Sequence, residues 1–216
     1  MQKEIQNRRK QMDRALRWSL LLFTGFLLVT QQVLTFGPLV EYDKKINSDP
    51  KPQFEGFAGF LLRRLDDLGL RGLTATVLII AASFIAYKFK TWRPLNLAFL
   101  SLILLNGVVG VSKLVLGRTK PRDGFDLLHA GGMSYPSGHA SNAVLSWGIL
   151  AYLIYRYAKV DRYQGRLASA GVAAISLTVC IVSLIRHTHW FTDLLGGLFI
   201  GSTLLVAVIA VDRYVP

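Results

Sequence analysis

Six long runs of this sequence contain no Asp, Glu, Lys or Arg: residues 18–40, 72–87, 94–112, 140–155, 167–185 and 194–211. A helix needs about 20 mostly apolar residues to cross the hydrocarbon core of a bilayer, with about 17–25 tolerated. Four of the runs reach that length, and those at 72–87 and 140–155 fall slightly short. Lys88 and Arg156 can lengthen them by snorkelling their stems toward the interface. None of the runs carries the polar stripe that a helix on the surface of a soluble bundle needs. Composition agrees: 52% of the 216 residues are hydrophobic and only 18% charged, against about 25% charged in ordinary soluble domains. Disorder and a freely soluble domain are both excluded. The single cysteine, Cys180, excludes an intrachain disulfide framework and a multi-cysteine zinc site. No small-residue cleavage site follows the first run, where Thr30-Gln31-Gln32 stands, so that run reads as an uncleaved signal anchor.

The expected fold is therefore all-α, an integral-membrane six-helix bundle in one domain over 1–216. Residues 1–15 form a basic cytoplasmic tail. The spans fall at about 16–36, 72–89, 94–116, 138–157, 167–186 and 191–211, with an outer loop at 37–71. In that loop Phe54, Phe57, Phe60, Leu61, Leu65 and Leu68 recur at helical spacing, with Arg63, Arg64, Asp66 and Asp67 between them. This pattern fits an amphipathic helix lying in the outer interface, or equally a re-entrant helix packed on the bundle. Gly196, Gly197 and Gly201 suggest close helix approach in the sixth span. Gly171, Ala173 and Ala174 suggest packing in the fifth.

The net charge of +12 raises nucleic acid as a partner, but its distribution argues for topology instead. With the N-terminus inside, the three short inner connections are consistently basic, and only Glu4, Asp13, Asp161 and Asp212 of the 13 acids share that side. The positive-inside bias then puts both termini in the cytoplasm of a multi-pass cell-membrane protein. The excess charge reads as attraction to anionic membrane lipids. No interleaved aromatic and basic platform argues for nucleic acid.

On that topology three polar clusters converge on the outer face. Lys113, Arg118, Lys120 and Arg122 place four cations within ten residues, which suits a phosphate, though a solvated stop-transfer cluster has the same composition. Pro136-Ser137-Gly138-His139 opens the fourth span. Ser137 can donate its hydroxyl, Gly138 permits close approach to the backbone, free amides at a helix start attract an anion, and His139 stands beside them as a proton donor. A plain helix cap is the simpler reading of the same residues. His189 and Asp193 are four apart, and on a helix that starts near His189 both lie on one face. A carboxylate on one imidazole nitrogen fixes the tautomer and frees the other nitrogen to attack, although a helix-start ion pair also fits.

At these residues the sequence resembles the type 2 phosphatidic acid phosphatase family, in the superfamily that includes vanadium haloperoxidases. The family pattern is Lys, six residues, Arg-Pro; Pro-Ser-Gly-His; and Ser-Arg, five residues, His, three residues, Asp. Lys113 and Pro121 match the first motif, residues 136–139 the second in full, and His189 and Asp193 the third. Two cations depart: the first motif's arginine falls on Lys120 and the third's on Ser183. Lysine keeps the charge but lacks the bidentate fork. Arg186, one turn beyond Ser183, is expected to supply the missing guanidinium, and Arg118 to assist Lys120.

The resemblance implies hydrolysis of a lipid phosphomonoester or pyrophosphate without metal or cofactor, at the outer face. His189 is the implied nucleophile forming a phosphohistidine, Asp193 its orienting carboxylate, and His139 the acid and then the base. Lys113, Lys120, Ser137, Gly138 and Arg186 are implied to hold the phosphate oxygens. Polyprenyl pyrophosphate, phosphatidylglycerophosphate and phosphatidate are the implied substrates. A lipid phosphotransferase on the same fold and a non-catalytic lipid-binding or transport protein are the competing readings. A zinc site at His187 and His189 is disfavoured, because helix neighbours point about 100° apart and no thiolate cluster accompanies them.

Overall fold

The computed structural model describes residues 2–48, 50–158 and 160–214. Asp49 and Lys159, which entered the charge bias, lie outside the described residues, as do the side chains of residues 2–5, 7 and 8. The described residues form eight α-helices and one 3₁₀ turn. These are α1 (Gln2–Leu34), α2 (Pro38–Ser48), α3 (Gly56–Asp67), α4 (Arg71–Phe89), α5 (Arg93–Leu116), the 3₁₀ turn Pro121–Asp123, α6 (Gly138–Tyr157), α7 (Arg162–Ile185) and α8 (Phe191–Tyr214).

Five helices are long and apolar enough to cross a membrane: Arg9–Leu34, Arg71–Phe89, the segment Arg93–Asp123 around α5, Arg162–Ile185 and Phe191–Tyr214. Their outward side chains are apolar, as at Ile80, Phe84, Ile103 and Leu114, all strongly exposed. Only a hydrocarbon solvent makes such a surface favourable. Two boundaries differ from expectation. α1 continues as helix through the basic segment that was expected as a tail. α7 starts five residues before 167, because Asp161 and Gln164 form a reciprocal capping box: the Gln164 amide donates to Asp161 Oδ1 at 2.8 Å and the Asp161 amide to Gln164 Oε1 at 3.3 Å, fixing the helix start.

α6 is the centre of the bundle. It packs against α8, α7, α4 and α5, and Ala140, Ala143, Leu145 and Ile149 are fully enclosed. α8 comes unusually close to it. A Cβ added at Gly197 would stand 2.5 Å from the Ser137 carbonyl oxygen, and one at Gly201 2.8 Å from that of Ser141. These glycines therefore set the distance between the helix that carries His139 and the helix that carries Asp193; His189 lies in the turn just before α8. The fifth-span expectation fails: Gly171, Ala173 and Ala174 are exposed, and a Cβ at Gly171 would meet open space. The face of α7 that packs is instead Ser176, Val179, Cys180, Val182 and Ser183.

The outer loop holds two helices. α2 packs on α1 and α8, and α3 packs on α7. α3 is amphipathic in the inverted sense. Phe57 is 78% exposed, while Asp66, half a helical turn away in phase, is 5% exposed and faces the bundle. The face that packs against protein carries Gly59, Leu62 and Asp66, while Arg63 and Arg64 stay exposed.

Candidate active site

The site grows from the loop between α5 and α6. α5 ends at Gly117, whose φ of +53° is a left-handed cap that glycine adopts without strain. The chain then folds back on itself. The amides of His129, Gly132 and Ser134 donate to the carbonyls of Leu116, Gly117 and Arg118 at 2.8, 2.9 and 3.0 Å. Gly132 is obligatory here, since a Cβ would lie 2.1 Å from the Arg118 carbonyl oxygen. This fold turns the Arg118 side chain inward, where it is fully buried.

Buried arginine requires carboxylates, and Arg118 has three. Its Nε and Nη2 form a two-pronged pair with Asp126, both at 2.7 Å. Nη2 also donates to Asp43 Oδ2 at 2.8 Å. Nη1 donates to Thr192 Oγ1 at 2.7 Å and Asp193 Oδ1 at 2.8 Å. Five donor contacts reach protein acceptors, and none of the side chain is accessible. Arg118 is therefore not available to a phosphate, contrary to the expectation that it assists Lys120. It is the keystone beneath the site.

Asp193 is held from four sides. Besides Arg118, its Oδ2 accepts from the Trp190 amide at 2.9 Å and from the Ser134 hydroxyl. His189 Nδ1 lies 3.5 Å from the same oxygen. That is longer than a full hydrogen bond, and Nδ1 has no other partner. The imidazole is thus aimed at Asp193 with its Nε2 side turned away from the carboxylate. Asp43 supports the same region from α2: its Oδ1 accepts the Thr192 amide at 2.8 Å and its Oδ2 the Thr192 hydroxyl at 2.5 Å. A residue from another helix so satisfies a free amide at the start of α8. Burial pushes the Asp43 carboxyl above its ordinary value, and Arg118 and the Thr192 bonds pull it partly back.

Opposite stands the start of α6. Ser137 caps the helix, its Oγ accepting the Ala140 amide at 3.3 Å, and its own amide donates to the Asp193 carbonyl at 2.9 Å. The second and third sequence motifs are therefore joined through the backbone. A Cβ at Gly138 would meet open space, leaving its amide approachable. His139 presents its ring 6.2 Å from that of His189, centroid to centroid, with the planes inclined by 56°. A tetrahedral group between the two rings is within reach of both.

The remaining cations border this gap. Lys113, at the end of α5, donates to the Met133 carbonyl and interacts electrostatically with Asp193 and Lys120. Arg186 follows the last residue of α7, and its guanidinium bonds Asp66 of α3. Ser183 donates to the other Asp66 oxygen at 3.0 Å. The arginine three residues on and the serine at the motif position thus meet on one carboxylate. His139 interacts electrostatically with Asp66, His189, Lys113 and Arg186. His187 points elsewhere, its Nδ1 2.8 Å from Asn47 Oδ1, and His129 is an exposed loop residue.

Sequence reasoning missed Asp43, Asp66, Asp126, Ser134 and Thr192. For Asp66 a signal existed. In a membrane chain the polar face of an amphipathic helix is the face available to protein partners, and Asp66 lies on it opposite Phe57.

Known proteins resemble this chain in sequence and in fold. Residues 94–215 match the model of the PAP2 superfamily. Phosphatidylglycerophosphatase B of Bacillus subtilis (strain 168) is 30% identical over 143 residues, which span 65% of this chain and 68% of that protein. The crystal structure of a transmembrane PAP2-type phosphatidylglycerolphosphate phosphatase from Bacillus subtilis superposes with a TM-score of 0.76 at 22% identity, over 92% of this chain and 97% of that one. With more than half of its length matched, and the motif residues His139, His189 and Asp193 gathered at one end of the bundle, the chain belongs to the PAP2 superfamily.

Proposed function

We propose that this chain is an integral-membrane lipid phosphatase, with phosphatidylglycerophosphate the first substrate to test. The observation that carries the reading is the facing pair His139 and His189, with Asp193 locked behind His189 by Arg118. A binder would gain nothing from a nucleophile whose far nitrogen is aimed at a buried carboxylate. The glycerolipid choice rests on the Bacillus subtilis relative, whose name gives that substrate.

In the proposed reaction His189 Nε2 attacks phosphorus while Nδ1–H closes onto Asp193, which stabilises the cationic ring. The bond from phosphorus to the lipid oxygen breaks, and His139 protonates that oxygen as it leaves. Water then attacks the phosphohistidine, giving its proton to His139, and inorganic phosphate departs. Lys113, Lys120, the Ser137 hydroxyl, the Gly138 amide and Arg186 stabilise the charge on the three equatorial oxygens. No step calls for a metal. We further assign six crossings, α1 and α4–α8, with both termini in the cytoplasm and the site on the outer face. α6 falls outside the five long apolar helices named above and is sheltered from lipid by α4, α5, α7 and α8 packed around it.

The test is phosphate release by detergent-purified protein, in EDTA, from phosphatidylglycerophosphate, phosphatidate and polyprenyl pyrophosphate. Release that persists in EDTA and disappears in His189→Ala supports the proposal. Transfer of label to an added alcohol or lipid headgroup in place of release identifies a transferase. No turnover of any substrate by folded protein overturns the enzyme reading.

A further inference from the structure

A cavity lies at the end of the bundle away from the site. It occupies about 560 Å³ between α6, α7 and α8, within the range of about 300–1,000 Å³ usual for ligand sites. Along α6, from Gly138 to Tyr152, the rise places it about 20 Å from the histidines. Its apolar walls include Val172, Leu205 and Ile209, and three guanidinium groups line it: Arg162 and Arg166, one turn apart on α7, and Arg213 on α8.

Among the described residues no carboxylate lines this cavity. The acids nearest in sequence are engaged elsewhere. Asp212 accepts from Arg93 Nε at 2.7 Å, from the Tyr152 hydroxyl at 2.6 Å and from Arg156. Asp161 accepts from the Gln164 amide at the start of α7. Arg162 and Arg166 also sit in the first turns of α7, where the helix already presents positive charge and disfavours cations. Three arginines, a positive helix end and an apolar trough together lack only an anion with hydrocarbon attached.

We infer that this trough binds an acidic phospholipid of the leaflet opposite the active site, with its phosphate among Arg162, Arg166 and Arg213 and an acyl chain along Val172 and Leu205. On the assigned topology that leaflet is the cytoplasmic one, where anionic lipid is attracted to basic residues. The site is separate from the catalytic histidines, and its occupancy does not depend on turnover.

The experiment is native mass spectrometry of the full chain in detergent, with dioleoyl phosphatidylglycerol or dioleoyl phosphatidylethanolamine added. We expect phosphatidylglycerol adducts to outlast phosphatidylethanolamine adducts. Retention should fall about tenfold or more in Arg162→Gln/Arg166→Gln/Arg213→Gln. Ala168→Phe, which fills the trough and keeps every charge, should lose the adduct as well. Both variants should release phosphate from substrate within about twofold of the parent, which serves as the folding check for an active protein. If the parent is inactive, its unchanged thermal transition takes that place. Equal retention of the two lipids, unchanged retention in both variants, displacement by millimolar inorganic phosphate, or a dimer mass in place of a lipid adduct would each overturn the inference.

Discussion

Arg118 Nη1 donates to Asp193 Oδ1 across 2.8 Å, and neither side chain is accessible to solvent. The pair links the loop after α5 to the start of α8, and through Asp43 and Asp126 it gathers α2 as well. The carboxylate behind His189 is thus fixed by an arginine that solvent does not reach.

Removing that arginine leaves three buried carboxylates without their cation. Breaking a buried pair of this kind costs about 3–5 kcal/mol. Arg118→Gln is expected to unfold the outer end of the bundle or to depress the thermal transition strongly, with activity lost. Arg118→Lys keeps the charge but not the fork and should fall between. Scanning fluorimetry in detergent beside phosphate release checks both.

Asp43 offers a test by pH. Its carboxyl is held above the ordinary value of 3.8, so between those two values the folded state binds more protons than the unfolded one. Its contribution to stability is full below pH 3.8 and is lost as pH rises through the raised value. Asp43→Asn should remove that falling limb while lowering stability throughout, because an amide presents donors to Arg118 on one side. The difference between the two melting profiles from pH 4 to 7 reads out the slope. A difference that stays flat contradicts the assignment.

The two histidines should separate by leaving group. His189→Ala is expected to reduce turnover to background with every substrate, because the nucleophile is gone. His139→Ala should cost about 10²–10⁴ in kcat/KM for a lipid alkoxide, and far less for p-nitrophenyl phosphate, whose leaving group needs no proton. His139→Ala quenched in alkaline detergent should also accumulate labelled phosphohistidine, since water attack has lost its base. Equal losses with both substrates would falsify the role given to His139.

Arg186 should act on binding. A charge-assisted hydrogen bond contributes about 1.5–3 kcal/mol, so Arg186→Ala should raise KM about tenfold to a hundredfold with a smaller fall in kcat. Ser183→Arg in that background places a guanidinium at the motif position, within reach of Asp66, and should recover part of the loss. Asp66→Asn, which loosens Arg186 without removing it, should give a milder version of the same KM effect.

Much of this was legible in the sequence because hydrocarbon imposes a one-dimensional rule: long uncharged runs are helices. The motifs at His139, His189 and Asp193 were legible because their local spacing is carried by two helix starts, although His189 stands in the turn before α8 and not within the helix. Arg118 was not. Its neighbours Lys113, Lys120 and Arg122 made it look like one more surface cation, and its burial depends on the Gly117 and Gly132 turns, which pair it with acids as distant as Asp43. Asp66 was hidden for a related reason. Beside Arg63, Arg64 and Asp67 it looked like part of a solvated face, and only the packing of α3 on α7 shows that Asp66 alone of the four is buried against the bundle.

The catalytic distance itself rests on glycine. His139 stands on α6 and Asp193 on α8, and Gly197 and Gly201 let those helices approach until a Cβ would meet the Ser137 and Ser141 carbonyl oxygens at 2.5 and 2.8 Å. Contacts this short cannot be absorbed by a side-chain rotation, because the atoms struck are backbone. Gly197→Ala should therefore push α8 away from the start of α6, weaken the bond from the Ser137 amide to the Asp193 carbonyl, and widen the gap between the histidine rings. A misplacement of about 1 Å can cost about a hundredfold in rate, so kcat should fall much further than thermal stability does. Gly201→Ala, one turn deeper, should show a smaller effect on kcat. Gly171→Ala, which meets open space and replaces glycine by a better helix former, should leave turnover unchanged. Phosphate release and melting temperature measured across the three variants decide the matter: a uniform loss that tracks stability alone would mean that the glycines serve packing and not the distance between His139 and His189.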